Sequence, residues 1–115
     1  GRRRFRWMVL LVTTTGAKSG QPRIAPLVYT KDGDRYVIIA SKGGAPTNPD
    51  WYYNIAANPE VTVEVGEETF PARAEIAPEP ERTRLFDAQA TLMPGFRDYQ
   101  NNTSRIIPVI TITRA

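Results

Sequence analysis

A chain of 115 residues with 41% hydrophobic, 10% aromatic and 23% charged side chains has the make-up of one ordinary globular domain, spanning residues 1–115, not of a disordered or fibrous segment. Cysteine and histidine are both absent, which removes disulfides, thiolate nucleophiles, the commonest zinc ligands and the usual general base; no metal is expected, and an enzyme built from this chain would rely on a bound cofactor. The formal charge is +3, but Arg2, Arg3, Arg4 and Arg6 supply four of the 15 basic residues and the remaining 11 meet 12 acidic ones, so no nucleic-acid partner is expected.

The arginine cluster at residues 1–6 reads as a basic arm, either a solvated stub or a contact for an anionic membrane. The chain starts on Gly1 without an initiator methionine or signal-peptide pattern, so a preceding segment is expected. No apolar run approaches the roughly 18 residues of a membrane span, and the longest, Trp7 to Val12, has strand length. A cysteine-free chain is compatible with a reducing cytoplasm, which is the expected location, with contact at the inner face of the plasma membrane if the arm docks there.

Met8 to Thr15 reads as a first strand, closed by the polar loop Gly16 to Gly20, whose glycines permit left-handed backbone angles and set up a hairpin. Arg23 to Lys31 and Arg35 to Ser41 read as two further strands around the turn Asp32-Gly33-Asp34. Lys42 to Thr47 is a glycine-rich loop, after which Asn48 is expected to cap a short helix over Pro49 to Ala57, with the proline in its first turn. Val61 to Val65 and Glu68 to Ile76 form a second hairpin around Gly66-Glu67. Leu85, Phe86, Gln89 and Leu92 recur at helical spacing, which predicts an amphipathic helix over Glu79 to Met93. The aromatic segment Phe96 to Tyr99 then leads into a last strand, Ile106 to Thr113. The expected fold is mainly β, a small barrel or sandwich of about six antiparallel strands with two to three helices.

Three places offer exposed backbone amides together with positive charge: Gly16 to Arg23, Ser41 to Gly44, and the helix start near Asn48. A glycine turn can present successive N–H groups to a phosphate; Lys18 and Lys42 add point charges and Arg23 a bidentate fork. Convergence of Lys18, Arg23 and Lys42 on one negatively charged ligand is the sharpest expectation. Trp51-Tyr52-Tyr53 would stack on a planar heterocycle or cap the end of the barrel. Phe96 and Tyr99, three apart on a helical segment, would roof a pocket or join the core.

The string Leu11-Val12-Thr13-Thr14-Thr15-Gly16-Ala17-Lys18-Ser19-Gly20-Gln21-Pro22-Arg23, then Pro26-Leu27, Ser41-Lys42-Gly43-Gly44 and Asn48-Pro49-Asp50-Trp51-Tyr52-Tyr53-Asn54, resembles the deazaflavin-dependent nitroreductase family, as do Asn58-Pro59-Glu60-Val61 and Asp98-Tyr99-Gln100. The resemblance implies a split β-barrel, similar to FMN-binding proteins, that holds coenzyme F420, a 5-deazaflavin with a phosphate-bearing oligoglutamate tail. It implies cofactor contacts from Ala17, Lys18 and Ser19, from Arg23, Ile24, Ala25, Pro26, Leu27 and Val28, and from Ile39, Ala40, Ser41 and Lys42. Asp50, Trp51, Tyr52, Tyr53 and Asn54 flank the cofactor in the same reading, and Phe96 lies near the ring. The acceptor pocket it implies takes in Val28, Met93, Phe96 and Tyr99; Met93 and Phe96 stand where the family nitroreductase carries tyrosines, and Ala17-Lys18 stands where the family often has two basic residues.

The expected reaction is hydride transfer from reduced deazaflavin to an apolar, electron-poor acceptor such as a quinone, an enone or a nitro-heterocycle, with Tyr99 and Ser41 as hydrogen-bond donors to developing negative charge. The alternatives are an FMN-binding split-barrel oxidoreductase and a non-catalytic cofactor-binding module. The oligomeric state is left open.

Overall fold

The computed structural model describes residues 8–115, so the basic arm at residues 1–6 lies outside the described residues. Seven strands form one antiparallel sheet: β1 (Val9–Thr15), β2 (Pro22–Val28), β3 (Thr30–Asp32), β4 (Arg35–Ile39), β5 (Glu60–Val65), β6 (Glu68–Ile76) and β7 (Val109–Arg114). Three α-helices complete the fold: α1 (Asp50–Ala57), α2 (Glu81–Leu92) and α3 (Gly95–Asn101). The strand order is β2-β1-β5-β6-β7-β4-β3.

The two edge strands are neighbours in sequence, joined through Tyr29 alone. One continuous stretch of chain therefore supplies both edges of the sheet, which must curl until those edges meet. This is the reason the single strand expected over Arg23 to Lys31 is two: β2 pairs with β1 and β3 pairs with β4, at opposite edges of the sheet. Tyr29 marks the corner; its N–H donates to the Met8 carbonyl (3.0 Å) and its ring meets Tyr36 edge-on, centroids 5.3 Å apart. The result is a split β-barrel.

Period-two patterning sorts the side chains. Leu10, Val12 and Thr14 of β1, Val61 and Val63 of β5, and Phe70, Ala72 and Ala74 of β6 point inward and are buried. The strands β4 and β7 are different, with unbroken buried runs at Val37–Ala40 and Val109–Ile112. Both of their faces are covered: Ile38, Ala40, Ile110 and Ile112 join the barrel interior, whereas Val37, Ile39 and Val109 pack with Leu85, Phe86 and Ala90 of α2 in a second cluster. β4 ends at Ile39, short of the expected Ser41, although the Ala40 N–H still donates to the Pro108 carbonyl (2.9 Å). β7 starts at Val109 and not Ile106, because the preceding N–H of Ile107 is bound by the Gln100 side chain (3.1 Å) and Pro108 has none.

The α2 helix is two residues shorter than expected at its start and ends one residue early, and its buried stripe is Leu85, Phe86, Gln89 and Ala90, continued by Met93 just past the last turn. Leu92 is 57% exposed. At about 100° per residue the stripe centres on Phe86 and Met93, which leaves Leu92 to one side. The Glu79 carboxylate accepts from the Thr83 N–H (3.0 Å) and so caps the first turn. Arg35 pairs with Asp32 and with Glu81 (2.9 Å), and Arg84 reaches Asp32 (3.2 Å), which ties the β3–β4 hairpin to α2.

Candidate functional site

Where the β1–β2 hairpin meets the start of α1, the surface opens into a cleft of about 800 Å³ bordered by Gly16 to Ser19, Arg23 to Ala25, and Asp50, Trp51, Tyr53 and Asn54. The loop that forms one wall is held by its own bonds: Gly16 N–H to the Gln21 carbonyl (2.8 Å), Gly20 N–H to the Gly16 carbonyl (2.9 Å) and Gln21 N–H to Ser19 Oγ (3.1 Å). Gly20 takes the expected left-handed angle, φ +71°. Gly16 does not; it is required for space, since a Cβ there would lie 2.5 Å from Ser19 Oγ and 3.2 Å from the Gln21 carbonyl oxygen.

Asn54, on α1 and buried, fastens the loop to the opposite wall. Its Oδ1 accepts from the Ala17 N–H (2.9 Å) and its Nδ2 donates to Thr14 Oγ1 (3.1 Å), which in turn donates to the Arg23 carbonyl (3.4 Å). The aromatic run on α1 divides as its helical geometry requires. Tyr52 packs on the barrel core, Trp51 packs there while also bordering the cleft, and Tyr53 is exposed on the cleft side with its ring edge-on to Tyr52, 5.3 Å between centroids. Asn48 does not cap α1. Pro49 occupies the cap position, and Asn48 Oδ1 instead accepts from Arg105 (2.7 Å).

Two of the three expected cations, Lys18 and Arg23, border this cleft, and neither pairs with a carboxylate among the described residues. Lys42 does not border it. It sits on a 3-10 turn, Lys42–Gly44, in the loop that runs from β4 into α1, with Nζ against Thr47 Oγ1 (3.3 Å). Lys42 is the one non-glycine residue with positive φ among the described residues (+48°), followed by Gly43 at +64° and Gly44 at +84°.

The α3 helix closes on that turn. A Cβ at Gly44 would sit 2.9 Å from the Tyr99 carbonyl oxygen and 3.1 Å from its Cα, so only glycine allows the approach. Of the strand residues expected at the cofactor, Arg23, Ile24 and Ala25 border the cleft, whereas Pro26, Leu27 and Val28 do not. Alternation along β2 sets Arg23, Ala25 and Leu27 on the face shared with Thr14, Val12 and Leu10, and sends Ile24, Pro26 and Val28 to the other face. Ile39 and Ala40 are core. Ser41 is buried, with its carbonyl bound by Arg105 (2.7 Å). Met93 is buried too; Phe96 and Tyr99 lie half-buried against the second cluster, edge-on to each other at 5.6 Å, and none of these borders the cleft.

Arg105, which no sequence motif marks, joins the site as well. Its guanidinium donates to the carbonyls of Ala45 (2.8 Å), Ala40 (3.2 Å) and Ser41 (2.7 Å) and to Asn48 Oδ1, and burial pulls its pKa below the ordinary arginine value. It follows the polar stretch Asn101 to Ser104 and precedes an apolar strand, a setting that carries no local signal of a buried role.

A curled sheet with a cation- and aromatic-lined cleft between the β1–β2 hairpin and α1 is the architecture of a split β-barrel protein. The chain belongs to the F420H(2)-dependent quinone reductase family, whose model matches residues 1–114. It is 45% identical over 108 residues to an F420H(2)-dependent quinone reductase of Mycobacterium tuberculosis, covering 91% of this chain and 72% of that one. A solved F420-H2 dependent reductase is 37% identical with a TM-score of 0.84, covering 97% and 99% of the two chains. A second solved structure, described as a domain-swapped dimer, is 39% identical with a TM-score of 0.83 over 90% of this chain and 78% of its own.

The residues present fit the family's cofactor. A deazaflavin with an anionic tail needs unneutralised positive charge next to an aromatic surface, and Lys18 and Arg23 meet Trp51 and Tyr53 in one cleft. Asp50, on the same rim, is the single carboxylate that opposes it among the described residues.

Proposed function

We propose that this chain is a coenzyme F420-dependent reductase acting on a quinone, with Lys18 and Arg23 holding the cofactor's tail and Trp51 flanking its ring. The observation that carries the reading is the meeting of these two unpaired cations and the Trp51 ring around one cleft of about 800 Å³. When bound, the reduced cofactor supplies a hydride from C5 of the deazaflavin, and the quinone takes that hydride and one proton to become the hydroquinone.

The chain's own work is to bind and orient. Lys18 contributes a point charge and Arg23 a planar fork toward phosphate oxygens. Asn54 keeps the Gly16–Gly20 loop at a fixed distance from α1, which preserves the width of the cleft. Tyr99 is assigned as donor to the acceptor oxygen that gains negative charge, with Ser41 beside the same turn as second donor. Tyr99 Oη has no hydrogen-bond partner among the described residues, which leaves its proton free for that role. In the same reading Arg2, Arg3, Arg4 and Arg6 meet the anionic face of a membrane, where an apolar quinone resides; about 1 kcal/mol per basic residue near such a surface supports it.

Titration of the purified protein with F420 and with FMN tests the cofactor. F420 binds and the double variant Lys18→Ala/Arg23→Ala binds it about tenfold more weakly. Tighter binding of FMN than of F420 would overturn the reading. Tyr99→Phe lowers kcat for quinone reduction while the F420 dissociation constant stays put; the reverse pattern rejects Tyr99 as donor.

A further inference from the structure

The turn at Lys42–Gly44 is strained and yet sharply shaped. Three consecutive residues have positive φ, and the first is a lysine, whose Cβ makes that region unfavourable. Such a conformation persists only where the surroundings over-determine it. Inside the loop there are two bonds that do so, from the Gly44 N–H to the Ser41 carbonyl (2.9 Å) and from the Ala45 N–H to the Lys42 carbonyl (3.1 Å). The backbone N–H groups of Lys42 and Gly43 donate to nothing among the described residues.

The remaining restraint comes from outside. One guanidinium, Arg105, spans the carbonyls of Ala40, Ser41 and Ala45 and the side chain of Asn48, so it grips the exit of β4, the strained turn and the entry to α1 at once. Arg105 is itself held: Gln100 Nε2 donates to its carbonyl (2.7 Å), and Gln100 Oε1 accepts from Arg82 of α2 (2.8 Å) and from the Ile107 N–H (3.1 Å). A continuous hydrogen-bonded path thus runs from α2 to the loop.

We propose that Arg105 is a positioning residue for cofactor affinity, whose fork holds the Ser41–Asn48 loop so that Lys42 and its adjoining N–H groups face the anionic cofactor. This rests on the cofactor reading above, which seats the tail on Lys18 and Arg23, and extends it to the N–H groups of Lys42 and Gly43, which find no acceptor among the described residues and lie on a turn outside the cleft those two cations border. A charge alone does not suffice, because a lysine ammonium cannot reach four acceptors spread around a planar fork.

The test compares Arg105→Lys, Arg105→Met and Lys42→Ala in the full chain. Three quantities are read: the F420 dissociation constant, kcat at saturating F420, and amide hydrogen exchange of residues 41–49 in cofactor-free protein. In Arg105→Lys, exchange across that loop speeds up by about tenfold while β5 and β6 keep their protection. F420 binds about tenfold more weakly, and kcat at saturation changes by less than about twofold. Should Arg105→Met fail to fold, Arg105→Lys carries the test alone.

Wild-type affinity in Arg105→Lys, with weakened affinity in Lys42→Ala, overturns the positioning role and leaves the cofactor reading standing. Wild-type affinity in both variants shows that the Lys42 turn contributes nothing to cofactor binding, which overturns the proposal and leaves the reading built on Lys18 and Arg23 standing. Unchanged loop exchange in Arg105→Lys overturns the proposal whatever the affinity does.

Discussion

Asn54 shows how a residue can belong to a site without touching a ligand. Its family resemblance places it beside the cofactor, but both ends of its buried amide are committed, to Ala17 N–H and Thr14 Oγ1. Asn54→Ala leaves the Ala17 N–H unpaired and takes from the Thr14 hydroxyl the donor it accepts from, at a cost of about 1–3 kcal/mol in urea denaturation, together with weaker F420 binding. Gly44 makes a different demand. Its φ of +84° and the 2.9 Å approach of the Tyr99 carbonyl mean that Gly44→Ala must both strain the backbone and push α3 outward. We expect a loss of roughly 2 kcal/mol or more by the same measurement, whereas Gly43→Ala, with open space around it, costs only the backbone term. The sequence announced a glycine-rich loop here; it could not announce the Tyr99 backbone, because that contact joins residues far apart in the chain.

Elements closed by local chemistry were legible. The Asp32-Gly33-Asp34 turn, the Gly66-Glu67 turn and the period-two runs of β1, β5 and β6 all lie where their spacing puts them. The break at Tyr29 and the loss of Asn48 as a cap were not legible, since each follows from a distant partner: closure of the sheet in one case, Arg105 in the other. The β3–β4 hairpin carries a consequence for pH. The guanidiniums of Arg84 and Arg35 hydrogen-bond Asp32 and lower its carboxyl from the ordinary 3.8 to about 2. A carboxylate depressed in the folded state contributes its full stability above the unfolded value and loses it as pH falls through the folded one. Stability should therefore drop between about pH 4 and pH 2. Thermal melts across that window check this, and Asp32→Asn should flatten the dependence; an equally steep decline in that variant would assign the acid lability elsewhere.

At the scale of the whole molecule, charge is close to balanced once the first six residues are set aside, with 11 basic against 12 acidic side chains. The protein as a whole therefore gives an anionic cofactor little long-range attraction, and affinity must come from the few cations at the cleft. Lys18 and Arg23 are exposed there, within reach of salt. Two such contacts at about 0.5–1 kcal/mol each correspond to between about fivefold and thirtyfold in affinity. Raising the salt from about 0.05 M to about 0.5 M shortens the screening length from above about 10 Å to under about 5 Å, so F420 binding should weaken by a factor in that range. A deazaflavin without the phosphate tail keeps the contact with Trp51 but has nothing for the cations to hold, and its affinity should change by less than about twofold over the same range. Equal salt dependence for the two ligands, measured by fluorescence titration, would mean that the cations act on the ring or not at all, and the tail would have to be held by neutral backbone donors.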